Sequence, residues 1–214
     1  MRNTLKTAAL VLALAAPASP AEELAPDALV RTISLEVLAT IRQDKDIQAG
    51  NPKKIAGLVE AKILPHFDFA HTTRIAMGAN WRRASPGQRE QLVREFRTLL
   101  VRTYSSALMN YRDQVLEFKP LRAQAGDMQV TVRSEVRQSG AQAVSIDYDM
   151  EKTASGWKVY DVKISGASLA ATYRDTFAEE VRNHGIEGLI DSLSGKNRQN
   201  DARSASVSAQ ADLP

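Results

Sequence analysis

Asp68-Phe69, Trp81-Arg82, Ser85-Pro86-Gly87-Gln88-Arg89 and Phe96-Arg97-Thr98-Leu99-Leu100-Val101-Arg102-Thr103-Tyr104 lie in one stretch, residues 68–104, that joins sharp helix punctuation to a long apolar stripe and holds no catalytic set. Ser85 is a good N-cap, Pro86 falls at the first helical position where its missing N–H costs nothing, and Gln88 is placed to reach back and complete a capping box. The spacing predicts a helix from Pro86 to about Tyr111, with Leu92, Phe96, Leu99, Leu100, Thr103, Tyr104, Ala107 and Leu108 on a broad apolar face. A face that broad needs another layer to bury against. Upstream, Asp68 is a candidate N-cap for a short helix through Met77, with Gly78 just past its end.

Working outward, Leu29, Ile33, Val37 and Ile41 recur every fourth residue between Pro26 and about Asp44, the spacing of one helical face. Asn51-Pro52 supplies a cap and a first-turn proline for a second helix carrying Ile55, Leu58, Val59, Ala61 and Ile63, which Pro65 ends. After Asp113 the period changes to that of strands. Val115 to Lys119 reads as one strand, and Met128, Val130, Val132, Ser134 and Val136 alternate along a second. Val144, Ile146, Tyr148 and Met150 alternate along a third, beyond a Ser139-Gly140 turn. After Ser155-Gly156, Trp157 and Val159 share one face of a fourth strand, with Tyr160, Val162 and Ile164 on the other. Leu169, Tyr173, Phe177 and Val181 then step along a helix that Gly185 stops, and Ile186, Leu189, Ile190 and Leu193 mark a last short helix. The expected fold is α+β: an antiparallel sheet of about four strands with one apolar face, covered by N-terminal and C-terminal helices.

The ends read differently from the middle. Residues 1–21 have the three-part plan of a secretory signal peptide: Arg2 and Lys6, an apolar run from Thr7 to Ala16, then small residues and prolines. Cleavage after Ala18 or after Ala21 satisfies the small-residue rule, and Ala21 leaves a charged new terminus. With no cysteine, lipid attachment behind the leader and disulfide formation are both excluded, so a soluble mature protein is expected. Lys and Arg number 28 against 25 Asp and Glu, a formal +3; removing residues 1–21 takes two of the bases and no acid, which leaves +1 and no electrostatic case for nucleic acid. Lys196 to Pro214 is Ser, Ala, Gln, Asn and Asp with little apolar content, and reads as a disordered tail. Residues 22–195 form the expected single domain.

No chemistry stands out. His66, His71 and His184 lack metal-site spacing, so no metal is expected. Neither a nucleophile elbow, a phosphate-binding loop nor a dinucleotide fingerprint occurs. Asp147 and Asp149 fall opposite the apolar stripe of their strand and read as a solvated face. The arginines among residues 82–102 read first as a solvated helix face with acidic partners. The apolar stripes carry the question, and they suit a packed core and a lined cavity equally well.

Together with Gly156-Trp157-Lys158-Val159-Tyr160-Asp161-Val162, Gly166-Ala167-Ser168-Leu169, Tyr173-Arg174 and Phe177, the motifs of residues 68–104 resemble the MlaC family, the toluene-tolerance type of periplasmic phospholipid carrier in the Mla lipid-asymmetry ABC system. The resemblance covers roughly residues 26–194. It implies that part of the space between sheet and helices stays open as an apolar pocket for acyl chains, with the headgroup near solvent. On strand parity, Val130, Val132, Val144, Ile146, Tyr148, Val162 and Ile164 line one wall of that pocket, and Leu100, Tyr104, Leu169 and Tyr173 the other. It also implies phospholipid as cargo, no cofactor, no catalysis, and two partners: an inner-membrane Mla ABC transporter complex and an outer-membrane Mla lipoprotein–porin complex. The competing expectations are a small secreted α+β hydrolase or isomerase using an Asp/His pair, and a periplasmic adaptor with a filled core.

Overall fold

Four N-terminal helices, a fifth long one, a meander of strands and a final helix follow one another in a computed structural model that describes residues 24–109 and 114–211. The leader expected over residues 1–21, with both cleavage points, and the expected end of the long helix at Tyr111 lie outside the described residues. The helices are α1 (Pro26–Gln43), α2 (Lys45–Gln48), α3 (Pro52–Lys62), α4 (Phe69–Met77) and α5 (Pro86–Met109). Their starts follow the punctuation. Asn51 Oδ1 accepts from the Lys53 and Lys54 amides at α3, and Asp68 Oδ1 accepts from His71 N at 2.8 Å at α4. At α5 the capping box closes in both directions: Gln88 N donates to Ser85 Oγ at 3.2 Å, and Ser85 N donates to Gln88 Oε1 at 2.9 Å. The short α2 is an addition to the sequence reading, nucleated by Asp44, whose carboxylate accepts from the Asp46 and Ile47 amides.

The sheet is an antiparallel meander in the order β1-β2-β3-β4-β5, with β1 (Val115–Phe118), β2 (Gln129–Arg137), β3 (Val144–Thr153), β4 (Gly156–Ile164) and β5 (Ala167–Ser168). The fifth strand, two residues long, follows a tight turn in which Ser165 and Gly166 both take positive φ, 50° and 83°. That turn folds the chain back so that Leu169 N donates to Val162 O at 2.9 Å.

One register differs from strict alternation. Asp149 pairs with Asp161 but Met150 pairs with Val159, so β4 carries Tyr160 as an extra residue, a β-bulge. A bulge switches side-chain parity. Val159 and Val162, expected on opposite faces, therefore both join the inward cluster with Val132 and Met150. Tyr160 instead stacks on His71 from α4, ring centroids 4.1 Å apart. The expected solvated face is also only partly solvated: Asp149 is buried, accepting from Thr131 Oγ1 at 2.7 Å and pairing with Lys163 Nζ at 2.6 Å.

The last helix, α6 (Arg174–Ala211), is broken at Gly185, whose φ of 72° and ψ of −177° belong to a region essentially reserved for glycine. This is the expected stop between two helices. The tail expected to be disordered from Lys196 is helical through Ala211. Its first turns pack on α5: Asn197 is buried and donates to Glu95 O and Oε2, while Arg102 donates to Asn197 O and pairs with Asp201. Composition favours disorder only where nothing is on offer to bury against, and here the polar side chains find partners on α5.

Candidate functional site

The interior is not one core but three buried clusters. Phe96 on α5 meets Phe177 and Tyr173 edge to face, at 5.0 Å each, in a cluster shared by α4, α5 and α6. Val37, Ile41, Ile47, Ile55 and Val59 form a second between α1, α2 and α3. Val30 from α1 lies on Val130, Val132, Met150 and Val159 in the third, against the sheet. A domain of this size usually has one contiguous core packed to crystal density. Where these three would meet, space is left instead.

That space consists of two adjoining cavities. The first, about 370 Å³, lies between α1 and the sheet, with Val30, Ile33, Val37 and Leu38 on one side and Leu116, Val136, Ile146, Tyr148 and Val159 on the other. The second, about 300 Å³, lies between α5 and the far half of the sheet, with Val59, Leu64, Leu100, Val101 and Tyr104 facing Val162, Ile164 and Leu169. Ile63, Phe67, Leu108, Ile146 and Tyr148 line both. Each volume is at the small end of the range for ligand sites, and the walls are predominantly aliphatic and aromatic, as such sites require.

The polar atoms in the walls are mostly engaged by the protein itself. In the second cavity Thr72 Oγ1 donates to Asp68 O and Tyr160 O, Ser105 Oγ donates to Val101 O, and Asp161 Oδ1 accepts from Val162 N and Ala170 N. Burial, with help from the adjacent Tyr173, pushes the Tyr104 phenol up to about 12, so it stays neutral. In the first cavity burial raises Tyr148 as well, partly offset by the neighbouring Ser134 and Ser34 hydroxyls. His66, on the same wall, is held below its ordinary value chiefly by burial and then by the Lys158 charge, with Glu36 acting in the opposite sense. Walls that are predominantly apolar, with most of their polar atoms already bonded to the protein, suit an apolar occupant, since a polar one would lose its water without replacement.

The three histidines have different surroundings. His66 faces the first cavity, His71 Nδ1 pairs with Glu151 Oε1 at 2.7 Å, and His184 pairs with Glu180 of its own helix. No group of three or more His, Cys, Asp or Glu side chains gathers among the described residues. Asp161 Oδ1 is engaged by backbone amides of Val162 and Ala170, tying β4 to the segment after β5. Among the described residues no helix is long and apolar enough to cross a membrane.

Comparison with known proteins follows the same lines. The family model described as "MlaC protein" matches residues 31–195. The chain belongs to the MlaC family. Curated relatives include the toluene tolerance protein ttg2D of Pseudomonas putida, 24% identical over 199 residues and 92% of each chain. The intermembrane phospholipid transport system binding protein MlaC of Haemophilus influenzae is 22% identical over 174 residues, 80% of this chain and 81% of that one. Among solved structures, a phospholipid-binding protein from Ralstonia solanacearum in complex with a phospholipid is 45% identical, with a TM-score of 0.75 over 82% of this chain and 98% of that one.

Within this MlaC fold the site residues expected from sequence divide into two groups. Leu100, Tyr104, Ile146, Tyr148, Val162, Ile164 and Leu169 line the cavities. The other four do not. Val130 and Val132 are filled core beneath α1, Tyr173 stands behind Tyr104 against Phe96, and Val144 is 38% exposed at the start of β3. Alternation assigns a face but not a depth, so it cannot separate Val132 from Ile146. Several wall residues were missed altogether. Ile33 and Val37 belong to the α1 stripe, whose spacing gives a face and not a cavity, and Val159 reaches the wall only through the bulge. Phe67 sits just beyond a 3-10 turn, outside any periodic segment, where it bridges to Val159.

Proposed function

We propose that this chain is a periplasmic phospholipid carrier whose two cavities take the acyl chains of its cargo and whose release is driven by partner complexes. The single observation that carries the reading is the division of the core into three clusters around unfilled, predominantly apolar space. The phospholipid in the 45% identical Ralstonia solanacearum protein supports the identity of the occupant. Burial is worth about 0.8 kcal/mol per methylene, so a chain of about sixteen carbons resists leaving a bilayer by roughly 12 kcal/mol. A dry cavity replaces that burial during passage through water. The family assignment points to inner-membrane Mla ABC and outer-membrane Mla lipoprotein–porin complexes as the two ends of the route, and to maintenance of outer-membrane lipid asymmetry as its purpose. On this reading the walls hold no catalytic group and need no cofactor.

The test is organic extraction of protein purified from a Gram-negative host, followed by mass spectrometry. The expected result is glycerophospholipid near one molecule per chain. Recovery of no lipid from gently prepared protein overturns the proposal, and so does turnover of the lipid to products by the purified protein.

A further inference from the structure

Of the described residues that line both cavities, Ile63, Phe67, Leu108 and Ile146 are purely apolar, and Tyr148 carries a polar end. Tyr148 remains partly accessible, and Ser134 of β2 and Ser34 of α1 lie close to its phenol. Ser134 is itself fixed: it is 1% exposed and its Oγ donates to Ile146 O at 3.0 Å. Ser34 belongs to the wall of the first cavity. The phenol thus lies between the sheet and the helix that covers it, and the residue borders both spaces.

We propose that Tyr148 is a specificity-determining residue that divides the cargo space, so that this chain holds one two-tailed lipid with a tail in each compartment. The inference rests on reading the cavities as acyl-chain sites. A rigid ring at the junction keeps each compartment the width of its own tail and excludes a cargo whose tails must share one space. Removing the ring merges the compartments; removing only the hydroxyl leaves the ring in place without its polar end.

The test uses full mature protein incubated with vesicles of dioleoyl phosphatidylglycerol mixed with tetraoleoyl cardiolipin, with bound lipid read by native mass spectrometry. Wild-type protein is expected to carry one diacyl lipid per chain. Tyr148→Ala is expected to shift occupancy several-fold toward cardiolipin or toward a second diacyl lipid, with Tyr148→Phe intermediate. Val132→Ala, which opens the filled core beneath α1, serves as the control that loosens the protein away from the junction. It should lower the melting temperature without changing the lipid ratio. Should Tyr148→Ala not fold, Ile146→Ala opens the same junction and carries the same expectation. An unchanged lipid profile in the folded junction variant overturns the inference, as does an equal shift in Val132→Ala or a second diacyl lipid already present in the wild type. A wild type that takes up neither lipid overturns the carrier reading itself.

Discussion

Ile146 and Val144 lie two residues apart on the same face of β3, yet only Ile146 borders the cavities, while Val144 is 38% exposed. The same substitution at the two positions therefore has different consequences. Ile146→Trp is expected to fold and to lose lipid, because the indole enters space meant for acyl chains. In a filled core it would instead overpack, at a cost of about 1–3 kcal/mol. Val144→Trp is expected to keep its lipid and to change stability by no more than about 0.5 kcal/mol. Lipid stoichiometry and melting temperature on one preparation of each variant decide the matter, and equal lipid loss in both would sink this placement of the wall. His66 gives a second prediction at this scale. Burial depresses its pKa below the ordinary 6.5, so as pH falls the unfolded chain takes the proton first. Its contribution to stability is complete above about 6.5 and is lost as pH drops from there to the folded value. Below both values the loss is complete and flat. Stability of His66→Gln should therefore fall less steeply than wild type over that window, measured by urea denaturation at stepped pH; parallel curves would show that the imidazole is not desolvated.

At the scale of elements, helices were legible because each has both periodicity and a chemical mark at its start: Asn51, Asp68 and the Ser85–Gln88 box are read from residue type and then seen in hydrogen bonds. Four of the five strands were legible, the two-residue β5 was not, and parity failed along β4. Val-Tyr-Asp-Val at residues 159–162 carries no glycine or proline to announce a bulge, and what stabilises it lies far away in sequence. Asp68 N donates to Val159 O, Thr72 Oγ1 donates to Tyr160 O, and His71 stacks on the Tyr160 ring. Helix α4 thus holds the irregularity that turns Val159 and Val162 to the same side. Gly185 is the opposite case, a break announced by residue type. With φ 72° and ψ −177° it occupies backbone space that costs other residues about 1–3 kcal/mol. Gly185→Ala should lower stability by that order although a Cβ there meets nothing within 4 Å, so the loss is one of backbone conformation. A variant as stable as wild type in thermal melts would mean that the two halves of α6 accept a different angle.

At the scale of the whole molecule, the sequence could not distinguish a hollow interior from a filled one, because Leu, Ile, Val and Tyr serve both and the difference lies in how far apart three clusters are held. The tail illustrates the converse problem, polar composition that nevertheless packs. Truncation after Gly195 removes Asn197 and Asp201, and with them the partners of Arg102 and of the Glu95 carboxylate. Arg102 is partly buried, so losing its acceptors strands a charged donor in a poorly hydrated place, a change worth about 1–3 kcal/mol. Truncation after Arg203 keeps both contacts. The shorter chain should therefore melt several degrees lower than the mature protein, while the longer one melts with it. Both should still bind lipid, since among the described residues none beyond Ala170 lines either cavity. Equal melting temperatures for the two truncations would show that the α5–α6 polar contacts contribute nothing. Loss of lipid in the shorter one alone would show instead that α6 holds α5, and with it Leu100 and Tyr104, at the distance that keeps the second cavity open.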